Sequence, residues 1–140
     1  MDIQMAEDAV KMIREKHMEE ECVLISLKYD LIDYIEKNYP DMQTGFLAFV
    51  SFGQTALLNC DYLGLEEETA TVQTISAVHG QNKKLLVWTP NEEDSQKRFL
   101  CSNADGIITD NVVQANEIRE ELRNRTDLQR IVDRIMMIVQ

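Results

Sequence analysis

Glu66 and Trp88 are the two side chains of this sequence best placed to meet a ligand. Each ends a short apolar run, Leu63-Gly64-Leu65-Glu66 in one case and Leu85-Leu86-Val87-Trp88 in the other. A carboxylate at such a point can accept a bond from a substrate hydroxyl or assist a metal held elsewhere. An indole there can wall a pocket and offer one N–H. Each also has a plainer reading. Glu66 opens the run Glu66-Glu67-Glu68, where an acidic helix start is ordinary. Trp88 can be core. Asn91 and Asp110 follow their own apolar runs and read as helix N-caps, Asn91 with Glu92, Glu93 and Asp94 in the turn behind it. Phe46 and Phe49 read as core before pocket, and Lys28 and Tyr29 as rim groups. Histidine is the commonest acid–base group. The two available, His17 and His79, sit near helix ends, where capping or surface roles account for them. Cys22, Cys60 and Cys101 are odd in number and form no CxxC, so free buried thiols are expected rather than a disulfide or a zinc site.

The elements that carry these residues alternate. Ile3, Ala6, Val10 and Ile13 mark a first amphipathic helix. Strand-like runs follow at 22–27, 45–50 and 60–65, then the Trp88 run and the Ile107-Ile108 run. A helix over 29–38 carries Leu31, Ile32 and Ile35 on one face and stops before Tyr39-Pro40. Residues 53–59 allow about one helical turn. Thr71 caps a helix with Val72, Ile75 and Val78 inward and Gly80 as its stop. Phe99 and Leu100 serve the next helix. Val112, Val113, Ala115, Ile118 and Leu122 serve the one after it. A last helix beginning at Asp127 would turn Leu128, Ile131, Val132, Ile135 and Ile138 inward.

Strands alternating with helices pair in parallel. Two architectures remain open on pattern alone: a five-stranded doubly wound open sheet, and five βα units of a (β/α)8 barrel. The chain has 140 residues, one domain's worth but short for a closed barrel of about 250. Its net charge of −11 argues against nucleic acid and against docking to anionic lipid by charge alone. It has no apolar stretch long enough to span a membrane and no signal-peptide core, so the chain as given is expected in the cytoplasm.

Several segments, taken in order, resemble the glycerophosphodiester phosphodiesterases. Ile25-Ser26-Leu27 with Tyr39-Pro40-Asp41 resembles the family's fourth unit, and Thr44-Gly45-Phe46-Leu47 its fifth strand. Asp61 to Glu66 is similar to the sixth strand of the Firmicutes, membrane-associated type. Ala77-Val78-His79-Gly80, Lys83-Lys84 and Trp88-Thr89-Pro90-Asn91 look like the seventh unit. Asp105 to Asp110 looks like the eighth. The likeness runs from about Cys22 to Asp110, and Trp88 to Asp110 is its specific part. Lys28, where the family commonly has an acid, departs from the pattern, as do Pro90 and Asn111.

The resemblance implies one partial barrel domain over residues 1–140, with C-terminal helices from 110 onward and strands in sequential order. It implies metal-dependent hydrolysis of glycerophosphodiesters in lipid metabolism, using calcium or magnesium. The family's catalytic motifs belong to its first three strands, and no HRG, HD or strand-end ExK occurs here. The implied site therefore has no catalytic and no metal residue in this chain. It has four substrate-side candidates, Trp88 against a glycerol moiety, Glu66, Phe46 and Asn91. The chain alone is expected to be inactive and to bind no cofactor, the cation being held by the missing segment. A degenerate half-barrel association module is the alternative, and an open α/β signalling domain a third reading. Expected partners are a second copy or the missing N-terminal half, with the diester once the barrel is complete. The parent protein would be membrane-associated. Ile25, Phe46, Leu63, Val87 and Ile107 are expected on the concave interior.

Overall fold

A computed structural model describes residues 2–48, 58–126, 129, 131, 132 and 135. Among the described residues the elements run in the order α1 (Ile3–Glu15), β1 (Val23–Ser26), α2 (Tyr29–Asn38), β2 (Gln43–Ala48), β3 (Tyr62–Glu66), α3 (Val72–His79), β4 (Lys84–Trp88), α4 (Glu93–Cys101), β5 (Gly106–Ile108) and α5 (Val112–Arg123). The sheet is parallel throughout, in the order β1-β2-β3-β4-β5. Each strand thus pairs with its sequence neighbours, as in a barrel arc. The five strands and the open form are common to both expected architectures.

Local chemistry sets the helix ends. Asp2 accepts a bond from Met5 N at 2.9 Å and caps α1. At the other end His17 takes φ 54°, His17 N donates to Arg14 O, and Met18 N donates to Ile13 O. This pair of bonds is a Schellman closure, with histidine in the left-handed position. Thr71 caps α3 through a bond from Thr74 N, as expected. Gly80 keeps φ −60°, and the left-handed residue after α3 is Asn82 at φ 57°. Asparagine tolerates that region because its side chain can bond locally.

Two apolar clusters fill the helix side of the sheet. One gathers Leu63, Leu65, Leu85 and Val87 with Ile32, Ile75, Val78 and Phe99. The other packs Ala6 and Val10 of α1 against Leu24, Leu31 and Ile35. Strand side chains alternate, so the opposite, concave face is fixed by register. Its layers are Ile25, Gly45, Tyr62 and Lys84, then Leu47, Gly64, Leu86 and Gly106, then Glu66, Trp88 and Ile108.

This parity corrects several expectations. Of the five residues expected on the concave face, only Ile25 lies there. Phe46, Leu63, Val87 and Ile107 belong to the helix-side cluster. Val72, Val112 and Val113 are exposed rather than inward, at 56%, 57% and 71%. Ile131, Val132 and Ile135 are helical but also exposed. Leu128, Ile138, Phe49 and residues 53–57 of the turn expected over 53–59 lie outside the described residues, and residues 58 and 59 are not helical. Among the described residues no helix is long and apolar enough to cross a membrane.

Candidate functional site at the C-terminal rim

In a parallel sheet with helical crossovers, ligands meet the C-terminal ends of the strands. Here β3 and β4 end side by side. Glu66 and Trp88 are register partners on the concave face, and Trp88 in turn pairs with Ile108. Both Glu66 and Trp88 are half-buried. The ladder continues one step further, because Glu67 N donates to Trp88 O at 3.0 Å. Trp88 Cδ1 lies 3.4 Å from where a Cβ on Gly64 would stand, so the indole leans back over a position without a side chain. The peptide bond from Trp88 to Thr89 is cis.

Asn91 is not the cap of α4. That position falls to Glu92, whose side chain makes no capping bond. Asn91 instead bridges the ends of β4 and β5. Its Oδ1 accepts from Thr109 Oγ1 at 3.0 Å and from Asp110 N at 2.9 Å, and its Nδ2 donates to Asp110 Oδ2 at 2.8 Å. Asp110 likewise is not a cap, since Asn111 holds that place before α5. The bridge rests on Gln96, which sequence reasoning missed. Gln96 is wholly buried in α4, and its Nε2 donates to Thr109 Oγ1 at 2.9 Å and to Asn111 O at 3.3 Å. A polar residue one turn into α4, on the same face as Phe99, is the signal that could have found it.

The other candidates are scattered around this rim. Phe46 faces the helices and meets Tyr29 edge-on at 5.5 Å, so it packs the helix side rather than the concave pocket. Tyr29 Oη accepts from Asn59 N at 2.8 Å and ties down the chain before β3. Lys28 stands exposed at the end of β1, where its backbone N–H donates to Ser26 Oγ at 3.0 Å. Glu67 accepts a short bond from Ser95 of α4. Both histidines lie away from the rim. His79 Nε2 is 2.8 Å from Asp105 Oδ2, and that oxygen also accepts from Leu85 N at 2.7 Å. This pair therefore fastens the opposite, N-terminal end of β4. A cleft of about 310 Å³ between α3 and α4 is lined by Val72, Ile75, His79, Arg98 and Phe99. It opens on the outside of the arc, behind the sheet from Trp88.

The rim as described can wall and hydrogen-bond a small polar molecule. It does not fit a metal. No group of three His, Cys, Asp or Glu side chains converges among the described residues. Among the described residues Glu66 is the carboxylate on the concave rim, beside Trp88.

Residues 3–114 match the glycerophosphoryl diester phosphodiesterase family. No curated protein gives a significant match. Among solved structures, a Silicibacter pomeroyi DSS-3 protein named as a candidate glycerophosphoryl diester phosphodiesterase is 20% identical with a TM-score of 0.72, over 82% of this chain and 43% of its own. A Parabacteroides distasonis ATCC 8503 glycerophosphodiester phosphodiesterase is 17% identical, TM-score 0.69, over 85% of this chain and 51% of its own. An Oleispira antarctica phosphodiesterase in complex with the product sn-glycerol-3-phosphate is 20% identical, TM-score 0.59, over 73% of this chain and 42% of its own. The chain thus spans about half the length of these relatives, or less.

Proposed function

Because the chain belongs to the glycerophosphoryl diester phosphodiesterase family, we propose that it supplies the substrate-side wall of a glycerophosphodiester-hydrolysing site in lipid metabolism. The pairing of Glu66 with Trp88 at the C-terminal rim carries this reading. Trp88 provides an apolar face for a glycerol backbone, and Glu66 accepts from one of its hydroxyls. The Oleispira antarctica relative was captured with sn-glycerol-3-phosphate, a ligand of that shape and chemistry. The Asn91 bridge holds the β4 and β5 ends at fixed separation, so Trp88 is positioned before a ligand arrives.

The divalent cation implied by the family, calcium or magnesium, finds no ligand cluster in the described residues. Its carboxylates and the acid–base histidines lie outside this chain in the present reading, so the isolated chain binds ligand without turning it over. The lack of a ligand cluster also supports a second reading, a non-catalytic half-barrel module that associates with another polypeptide.

Trp88 is the one tryptophan of the sequence, so its fluorescence reports on the rim. Titration with sn-glycerol-3-phosphate should shift the emission, and Glu66→Gln should weaken the response. Glycerophosphocholine with added calcium or magnesium should stay intact. Metal-dependent turnover by the purified chain would refute the assignment of chemistry elsewhere. An unresponsive Trp88 would favour the association module.

A further inference from the structure

We propose that the cleft between α3 and α4 binds a small amphipathic carboxylate, with its apolar body on Ile75 and Phe99 and its charge on Arg98. The cleft opens on the outside of the arc, so its occupant depends neither on the rim nor on the concave face. Its shape comes from the sequence of the two helices. Val72, Ile75, Ser76 and His79 recur at the spacing of one helical face. That face of α3 borders the last turn of α4, while α4 packs against α5 instead. Small side chains line the gap, among them Ala70, Ser76 and Ser102, and they leave about 310 Å³ open. At about 30 Å³ for each water-sized group, such a volume takes roughly ten non-hydrogen atoms. Small-molecule sites begin at about 300 Å³.

The lining divides by chemistry. Ile75 and Phe99 belong to the helix-side core and form an apolar floor. Arg98 is exposed at the edge, its guanidinium carbon 4.9 Å from the centroid of the Phe99 ring. A positive charge thus stands directly beside the apolar floor. The charge of the ligand follows from what Arg98 lacks. The chain carries a net −11, and Lys11, Arg14, Lys37, Lys97 and Arg123 each pair with a carboxylate. Among the described residues Arg98 makes no ion pair, and no Asp or Glu lines the cleft. The helix-end carbonyls nearby already have donors. Phe99 O accepts from Ser102 N and Ser102 Oγ, and Ser76 O accepts from Gly80 N. His79 is engaged by Asp105. One unpaired guanidinium suits one negative charge, and its planar fork matches a carboxylate. A phosphate dianion would meet a single cation in an acidic chain, and a neutral ligand would leave that cation without a counterion.

The test uses the full chain and octanoate, a carboxylate of about that size. Calorimetry should show one site. Octanol, of the same length and uncharged, should bind about tenfold more weakly or worse, as the loss of one charge-assisted hydrogen bond requires. Arg98→Gln should weaken octanoate by the same factor and leave octanol unchanged. Ser76→Phe, at an exposed position that lines the cleft, should block both ligands without lowering the melting temperature. By NMR the Ile75 methyl resonances should shift with octanoate while Trp88 emission stays constant, and sn-glycerol-3-phosphate should leave Ile75 unmoved. Octanoate that moves Trp88 and not Ile75, equal affinity for octanol, or binding indifferent to Arg98→Gln or to Ser76→Phe would each overturn the proposal. A Trp88 that ignores sn-glycerol-3-phosphate would count against the functional reading alone.

Discussion

Leu47 occupies the space that a side chain on Gly64 would need. A Cβ added at Gly64 would lie 2.2 Å from Leu47 Cδ2 and 3.4 Å from Trp88 Cδ1. The two strands therefore share one side chain's volume, and Trp88 borders it from the third strand.

Gly64→Ala should force Leu47 into another rotamer and cost about 1 kcal/mol, the low end for overpacking because the obstructing atom is a side-chain tip. Leu47→Ala in the same chain should relieve most of that cost. Denaturant unfolding of the two single variants and the double variant closes the cycle. Additive effects would show that the contact does not exist in solution.

Gln96→Leu should destabilise the protein by about 1–3 kcal/mol, because the carbonyl of Asn111 and the hydroxyl of Thr109 lose a buried donor. The same variant should broaden the Trp88 emission response, since the Asn91 bridge rests on Thr109. A variant as stable as the parent would show that water or a neighbour replaces Gln96.

Arg14 fastens α1 to the exit of α2 through both oxygens of Asp41, at 3.1 Å and 2.5 Å. That bond holds the Asp41 carboxyl below its ordinary range. A depressed carboxylate adds stability above its unfolded value and loses it as pH falls through its folded value. The pair should therefore hold at neutral pH and fail only in acid, below the range of a free aspartate. Carboxyl carbon shifts followed by NMR should show Asp41 titrating low, and Arg14→Gln should return it to normal.

Burial raises the Cys60 thiol above its ordinary value. The thiolate is the reactive form, so Cys60 should label more slowly at pH 8 than the half-buried Cys22 and Cys101. Mass spectrometry after a short pulse of iodoacetamide ranks the three sites. Preferential labelling of Cys60 would mean that β3 opens readily from its neighbours.

Much of the architecture was legible because local rules sufficed. The bounds of α2 at Tyr29 and Asn38 follow from its apolar spacing and from Tyr39-Pro40, and Thr71 caps α3 as its hydroxyl predicts. The alternation of strand and helix fixed the parallel pairing, and the run from Trp88 to Asp110 pointed to the family. What stayed hidden was which face each strand residue takes. Buried parallel strands are apolar on both sides, so Leu85-Leu86-Val87-Trp88 reads the same in either phase. Only the packing of Leu85 and Val87 on α3 and α4 decides that Leu86 and Trp88 face the concave side. Asn91 and Gln96 depended on tertiary structure for the same reason. An asparagine before acidic residues satisfies the local pattern of a cap, but Thr109 and Asp110 lie far along the chain, and only the adjacency of β4 and β5 brings them within reach of it.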